Sequence, residues 1–327
     1  MAIGFVSVER RKAWRSKELT TLNIEPSAFG IGNQIPESFE DGLAYELSED
    51  KTYAICTGIG TCTDTDIIIA SIYEDKPVTS ISELAFDGCS SITSVEIPDS
   101  VTSIGHGAFY GCSNLKSISL GAGVEKIETN TFYACGKLTN INLGNSVTSI
   151  ADHAFYKCGM KNIVIPDSVR EIKEWVFSQC PNLKSITFAK GLQSIGHAAF
   201  YQNTSLEEVI LPNSLISLAG YVFQGCTNLK SVVIPASVTT ISDKALFQDC
   251  PNVTIYCESA SKPAGWNEEW NKYNSPVVWD YVFDFPGVNK KISQINSQIN
   301  TAIETLREEL SDALGTIEIA LDSILYT

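Results

Sequence analysis

Cysteine has the clearest potential for chemistry in this sequence, since ten thiols occur among 327 residues. Thiolates bind metals, act as nucleophiles and form disulfides. Seven of the cysteines recur at intervals close to 23 residues, or twice that across one gap, and these are Cys89, Cys112, Cys135, Cys158, Cys180, Cys226 and Cys250. Zinc sites use pairs of cysteines only a few residues apart, so this spacing predicts a column of small interior side chains.

Two further cysteines lie outside this column. Cys56 and Cys62 flank the short segment 57–61, which contains two glycines. The sequence leaves two interpretations open for them, a local disulfide or a role as small fillers of an end cap.

Phenylalanine repeats with the same period and stands three residues before each cysteine of the column. Successive intervals are 23, 23, 23, 22, 23, 23 and 24 residues for Phe86, Phe109, Phe132, Phe155, Phe177, Phe200, Phe223 and Phe247. Isoleucine, or leucine in one repeat, precedes most of them by five residues. A period near this length is typical of a solenoid, because one unit buries its apolar face only by stacking on the next.

Each repeat predicts one rung of that solenoid. In residues 115–120, alternating apolar residues point inward as in a strand, so Ser117 and Ser119 face outward. The segment that contains Ala108-Phe109, just before this strand, is long enough for only one turn of helix. There Phe109 is predicted to be the largest core side chain and Cys112 a small apolar filler.

Stacking separates the other residues that could do chemistry. At about 4.8 Å per rung, His106 and His197 lie roughly 19 Å apart, and His153 lies about 10 Å from His106. Serine occurs without a GxSxG motif, and the Gly-Ile-Gly fragments lack the rest of a phosphate-binding motif. Acid pairs such as Glu171 and Glu174 are predicted to lie on repeat surfaces. The sequence therefore predicts no catalytic, metal or cofactor site.

The repeat resembles that of the BspA-like leucine-rich-repeat family of bacterial surface proteins, whose unit reads roughly LxxIxIPxSVTxIGxxAFxxC. The match covers about residues 67–257, with Asn203 in place of a cysteine and one residue missing between Cys158 and Met160. The resemblance implies an α/β leucine-rich-repeat solenoid, mostly short parallel strands with helical turns. It also implies a role in adhesion or surface recognition.

Changes of composition divide the chain into three parts. Residues 1–50 are interpreted as an N-terminal attachment segment, whose fold the sequence does not specify. Residues 51–286 form the solenoid with its caps, and the tryptophan-containing stretch 258–286 is the terminal cap. Residues 288–327 form a helix that begins after Pro286-Gly287 and contains no proline.

The C-terminal helix carries a single apolar stripe. Its residues are three or four positions apart throughout, as on one side of an α-helix, and they are Ile292, Ile295, Ile299, Ile303, Leu306, Leu310, Leu314, Ile317, Leu321 and Ile324. Isoleucine at both core positions of a coiled coil favours three or four strands. The stripe predicts a homo-oligomer held by a C-terminal α-helical coiled bundle, with a trimer as the favoured form. The alternative is that the helix docks on the solenoid of its own chain.

The charge balance limits the classes of partner. Thirty-eight acidic residues against 23 lysines and arginines give a net charge of −15, and such a surface repels nucleic acid and anionic lipid. The one basic cluster, in residues 10–17, is interpreted as a solvated or interface-forming segment. No apolar run reaches 18 residues, which excludes membrane insertion as a helix. The N-terminus lacks the pattern of a secretory signal.

The outside of the solenoid remains as the functional surface. Outward strand positions form two columns predicted to bind ligand, and these are Ser117, Ser119, Asn140, Asn142, Asn162, Val164, Thr187, Ile210 and Val233. Extended solenoid faces bind partners, here a protein or a cell-surface glycan, although short polar side chains are also typical of a merely soluble surface. On the opposite side, the stripe Tyr110, Tyr133, Tyr156 and Tyr201 either packs on its neighbours or stacks on sugars, and packing is favoured.

Together these features predict a non-enzymatic leucine-rich-repeat binding or adhesion protein, displayed multivalently through its C-terminal bundle. A bundling helix without a signal peptide or anchor favours a phage virion component, such as a tail or receptor-binding protein attached to a larger assembly. A structural spacer or decoration protein and a bacterial cell-surface adhesin are the alternatives.

Overall fold

A computed structural model describes residues 42–282, other than 189 and 243, together with Ser297. The side chain of Asn140 is not among the described groups. The chain divides into two compact units, Met1–Asp280 and Tyr281–Thr327. Most of the predicted N-terminal segment and the apolar stripe of the predicted C-terminal helix therefore lie outside the described residues.

Each repeat contributes two short strands and one turn segment to a rung. The second strands join one 11-stranded sheet that continues from rung to rung. With strands numbered in chain order, this sheet contains β1 (Ala44–Leu47), β2 (Ala54–Gly58), β4 (Ile72–Tyr73), β5 (Lys76–Ile81), β7 (Ser103–Ile104), β9 (Lys126–Ile127), β11 (Ser149–Ile150), β13 (Glu171–Ile172), β15 (Ser194–Ile195), β17 (Ser217–Leu218) and β19 (Thr240–Ile241). From β5 onward its repeat strands pair in parallel and in register, so Ile104 lies between Ile81 and Ile127. The predicted stacking of rungs is confirmed.

The first strands of the repeats lie in three separate sheets, β10-β8-β6-β3, β12-β14 and β16-β18-β20-β21. These strands are β3 (Asp66–Ile68), β6 (Ser94–Glu96), β8 (Ser117–Ser119), β10 (Asn140–Asn142), β12 (Asn162–Ile165), β14 (Ser185–Phe188), β16 (Glu208–Ile210), β18 (Ser231–Ile234), β20 (Thr254–Cys257) and β21 (Val277–Val278). The break between β10 and β12 coincides with the repeat that is one residue short, between Cys158 and Asn162. The second break, between β14 and β16, falls at a repeat of full length, so the lost residue does not account for both breaks.

The core is built around a stack of phenylalanine rings. Successive rings from Phe86 to Phe247 have centroids 5.1 to 5.9 Å apart and planes within 13° of parallel. All eight are at most 2 % exposed. Burial of one such side chain contributes about 1.5–3 kcal/mol, so the aromatic column supplies much of the apolar stabilisation, as its spacing predicts.

The cysteine column lies beside this stack and is held by hydrogen bonds between rungs. From Cys112 onward, each thiol of the column donates to the carbonyl of the phenylalanine one rung earlier, as Cys112 does to Phe86 at 3.1 Å and Cys158 to Phe132 at 3.1 Å. No disulfide joins any two of the ten cysteines, so the local disulfide between Cys56 and Cys62 is not formed. The prediction of small interior fillers is confirmed for this column.

The segment around each core phenylalanine consists of turns, and the prediction of a helical turn there is wrong within residues 42–282. Two positions per repeat have left-handed backbone, for example Asn130 at φ 59° and Ala134 at φ 58°. Alternate N–H groups bond to the next rung, as Phe109 donates to the Thr131 carbonyl at 2.9 Å. An α-helix needs consecutive right-handed residues bonded along their own segment. In this described stretch no helix is long and apolar enough to cross a bilayer.

Tryptophans cover the last rung of the described solenoid. Trp266 and Trp270 are buried, and their ring centroids lie 4.8 Å apart, with Trp279 within 6.1 Å of both. The indole Nε1 of Trp266 donates to the Val238 carbonyl at 2.9 Å. These contacts shield the apolar end that an uncapped solenoid exposes.

Candidate binding surfaces

The outward side of the first strands, here called the strand face, carries the residues predicted to bind ligand. Alternation along β8 buries Ile118 and leaves Ser117 half-buried and Ser119 exposed. The other exposed members of the predicted set are Asn142, Asn162, Val164, Thr187 and Ile210. The structure thus places these side chains on the outside of the rungs, as the period of two predicts.

Val233 is a correction to that set, because it is only 6 % exposed. It pairs in register with Ile210 on one side and Tyr256 on the other. Both neighbours are larger than valine. The side chain of Val233 is therefore covered, although alternation along the strand assigns it to the surface. Asn140 pairs with Ser117 in the same sheet.

A groove of about 720 Å³ crosses the strand face over the first four to five rungs. Its polar lining comes mainly from short side chains on successive strands, and includes Ser94, Glu96, Ser117, Ser119, Asn142 and Asn162. Hydroxyl and amide groups both donate and accept hydrogen bonds. Apart from Glu96, these side chains form a row of neutral hydrogen-bonding groups on strands that are one rung apart.

The two ends of this groove differ in charge. Asp66 lies at the first rung, where its carboxylate accepts hydrogen bonds from the hydroxyls of Thr93 and Ser94. Glu96 stands on the next strand, whereas Lys161 lines the opposite end. A ligand that follows the groove meets carboxylates at one end and an ammonium group at the other.

Beyond the groove the strand face becomes more apolar. Val164 is 63 % exposed and Ile210 is 44 % exposed, with Thr187 on the strand between them in the chain. Lysines flank this stretch, and one of them, Lys230, forms an exposed ion pair with Glu207 at 2.6 Å. The strand face thus changes from polar to apolar along the stack.

The turn segments carry a second surface, here called the turn face, which is rich in aromatic rings. Tyr110, Tyr133 and Tyr156 stack with centroids 4.7 Å apart. The favoured prediction that these tyrosines pack on their neighbours is confirmed. Tyr201 departs from the stack and instead packs edge-on against Trp175 at 5.3 Å.

Sequence reasoning missed the other rings of the turn face, His153, Trp175, His197 and Tyr221. Each ring lies within 6.1 Å of the next, in the order His153, Trp175, His197 and Tyr221. Three of the four stand two residues before a core phenylalanine, at a left-handed position of the turn. The available signal was this recurrent position, which holds histidine, tryptophan, alanine and tyrosine in four successive repeats.

His153 is a half-buried histidine of the turn face. Partial burial lowers its pKa below the usual value, against the opposing effect of the carboxylates of Asp152 and Glu174. The imidazole is therefore neutral at pH 7. In the described part of the chain, no group of three or more His, Cys, Asp or Glu side chains is arranged to hold a metal ion.

Stacked parallel rungs with a phenylalanine and cysteine core define a leucine-rich-repeat protein. The chain belongs to the family described as BspA type leucine rich repeat region, since six copies of that repeat match within residues 64–180 and 125–254. Such repeats are typically non-enzymatic binding scaffolds. No curated protein matches the chain in sequence.

The chain is similar to several solved structures of leucine-rich-repeat proteins. A leucine-rich repeat protein from Bacteroides ovatus is 25 % identical with a TM-score of 0.60, and the match covers 75 % of this chain and 72 % of that one. A leucine rich cell surface protein from Faecalibacterium prausnitzii is 20 % identical, with a TM-score of 0.45 and coverage of 75 % and 95 %. The T. pallidum leucine rich repeat protein is 25 % identical, with a TM-score of 0.46 and coverage of 72 % and 94 %.

Proposed function

We propose that this chain is a non-enzymatic adhesion protein that recognises a protein or a cell-surface glycan with its strand face. The observation that carries the proposal is the groove of about 720 Å³ across successive rungs. A solenoid presents the same kind of contact on every rung, which suits an extended ligand. Hydroxyl and amide groups would bind along the ligand, and the oppositely charged ends would set its direction.

In this proposal the chain is a tail or receptor-binding protein of a phage virion. It is displayed there in several copies, with a trimer as the favoured form. The apolar stripe from Ile292 to Ile324 supports the trimer through its isoleucine content. Multiple copies would raise a weak affinity for a cell surface by avidity. A spacer or decoration protein and a bacterial cell-surface adhesin are competing outcomes of the test.

The test measures binding of the labelled full-length chain to a panel of bacterial cells and their purified surface polysaccharides. Ser119→Arg places a bulky cation in the groove and is expected to weaken binding by about tenfold or more. Ser103→Arg is the matched control, because Ser103 is also an exposed strand serine but lies on the long sheet. Equal loss in both variants would contradict the strand-face assignment, and no binding to any cell would favour the spacer.

A further inference from the structure

The turn face contains a recess of its own, here called the aromatic groove. Its volume is about 450 Å³, and it is lined by Tyr110, Asn130, Tyr133, His153, Tyr156 and Trp175. A volume of a few hundred Å³ is typical of a site for a small ligand. The groove crosses four rungs on a surface separate from the strand face, and the proposed adhesion function does not use it.

The rings around this groove have two orientations. The planes of Tyr110, Tyr133 and Tyr156 are within 18° of parallel from one to the next. His153 and Trp175 are parallel within 7° of each other, but the His153 ring is turned by 56° from Tyr156. A ligand in the aromatic groove therefore contacts the tyrosine stack on one side and, on the other, an imidazole and an indole that are oriented differently.

Polar groups of the same lining have hydrogen-bonding capacity to spare. The side-chain amide of Asn130, the imidazole of His153 and the hydroxyls of Tyr110 and Tyr133 have no hydrogen-bond partner among the described residues. All four side chains are at least partly exposed. An amide, an imidazole and phenols together can both donate and accept, so the groove suits a ligand that is rich in hydroxyl groups.

The lining also indicates the charge of the ligand. None of the six lining residues is a lysine, arginine, aspartate or glutamate. The lowered pKa of His153 keeps its ring uncharged at neutral pH. The nearest charges have both signs, because the Lys157 ammonium lies 5.3 Å from the centroid of the Tyr156 ring and the carboxylates of Asp152 and Glu174 act on His153. The groove therefore favours neither an anion nor a cation.

We infer that the aromatic groove is a second binding site, which takes a neutral glycan. A pyranose has an apolar C–H face, which packs on an aromatic ring, and equatorial hydroxyls, which bond to amide, imidazole and phenol groups. The groove presents both kinds of partner. The faces of the three tyrosines pack on one another at 4.7 Å, so the apolar contact falls to their ring edges and to the rings of His153 and Trp175 in the same lining. A protein partner would need a much larger surface than this recess offers.

Titration of the full-length chain with cellohexaose, chitohexaose and mannohexaose tests the inference by calorimetry, with saturation-transfer NMR to identify the bound sugar protons. At least one of these neutral hexasaccharides is expected to bind. Trp175→Gly is expected to weaken that binding by about tenfold or more, because it removes one aromatic wall. Glycine suits the left-handed φ of 57° at this position, so the substitution leaves the turn able to form.

Asp249→Gly is the matched control, because Asp249 also has a left-handed φ, of 58°, but does not line the aromatic groove. It is expected to bind the hexasaccharide normally, as is Ser119→Arg on the strand face. Thermal unfolding of all three variants verifies that they fold. Failure of all three neutral hexasaccharides to bind, or equal weakening by Trp175→Gly and Asp249→Gly, would overturn the inference. Loss of glycan binding in Ser119→Arg alone would move the sugar site to the strand face.

Discussion

The side-chain amide of Asn203 donates a hydrogen bond to the Phe177 carbonyl at 2.9 Å, and its Oδ1 accepts one from the Cys180 N–H at 2.9 Å. In other rungs a thiol donates to the equivalent carbonyl, as Cys226 does to Phe200 at 3.2 Å. Asn203 is fully buried. At this position of the column, the Phe177 carbonyl is already placed to accept a hydrogen bond. The larger, polar side chain of Asn203 can therefore replace a cysteine.

Asn203→Ala should lower the free energy of unfolding by about 1–3 kcal/mol, since it removes two buried hydrogen bonds and leaves a small void. Asn203→Cys is the matched control and should lose less, because a thiol can donate to the Phe177 carbonyl as in the other repeats. Urea unfolding followed by circular dichroism measures both. Equal losses would show that the bond to Phe177 contributes nothing measurable.

Phe155→Ala should lower the free energy of unfolding by about 3–5 kcal/mol, because it opens a cavity in the middle of the ring stack. Phe155 is fully buried between Phe132 at 5.2 Å and Phe177 at 5.3 Å. Phe188→Ala is the comparison, because Phe188 is only half-buried at the end of β14. Urea midpoints that fall equally in the two variants would contradict a central role for the stack.

Those two predictions rest on the part of the fold that the sequence specifies well. The regular spacing of phenylalanine and cysteine predicts stacked rungs, because each repeat needs its neighbours to bury the same side chains. Alternation also predicts that Ser119 faces outward. Val233 has the same parity, but its burial depends on Tyr256, one repeat later, which a pattern within one strand does not include.

The turn segments were harder to predict for a related reason. The spacing of residues within one repeat suggests a turn of helix. In the structure the backbone N–H groups bond to the next rung instead, and the segment therefore forms turns. Left-handed residues such as Trp175 then direct their side chains outward beside Tyr201. The aromatic groove depends on this backbone geometry, and residue spacing alone shows only the tyrosine stripe.

Removal of residues 288–327 should convert the proposed trimer to a monomer. Before the removal, the chain should have the mass of three copies of 35.6 kDa, about 107 kDa, because isoleucine on the stripe favours three strands. Light scattering after gel filtration measures both forms, and circular dichroism shows that the shortened chain retains its strands. A single-copy mass for the full-length chain would contradict the trimer, and a trimer that persists without the helix would move the interface elsewhere.

Stability should fall as the pH rises from about 9 to 12, because burial raises the pKa of the Cys112, Cys180 and Cys250 thiols from 9.0 to about 12. Above pH 9 the unfolded chain releases these protons and the folded chain keeps them, so the unfolded state gains stability. Below pH 8 these thiols cause no such change.

Urea midpoints at pH 8, 9 and 10 measure the effect. Cys180→Ala should reduce the fall between pH 9 and 10 by about 1 kcal/mol, and an unchanged slope would show that this thiol ionises equally in both states.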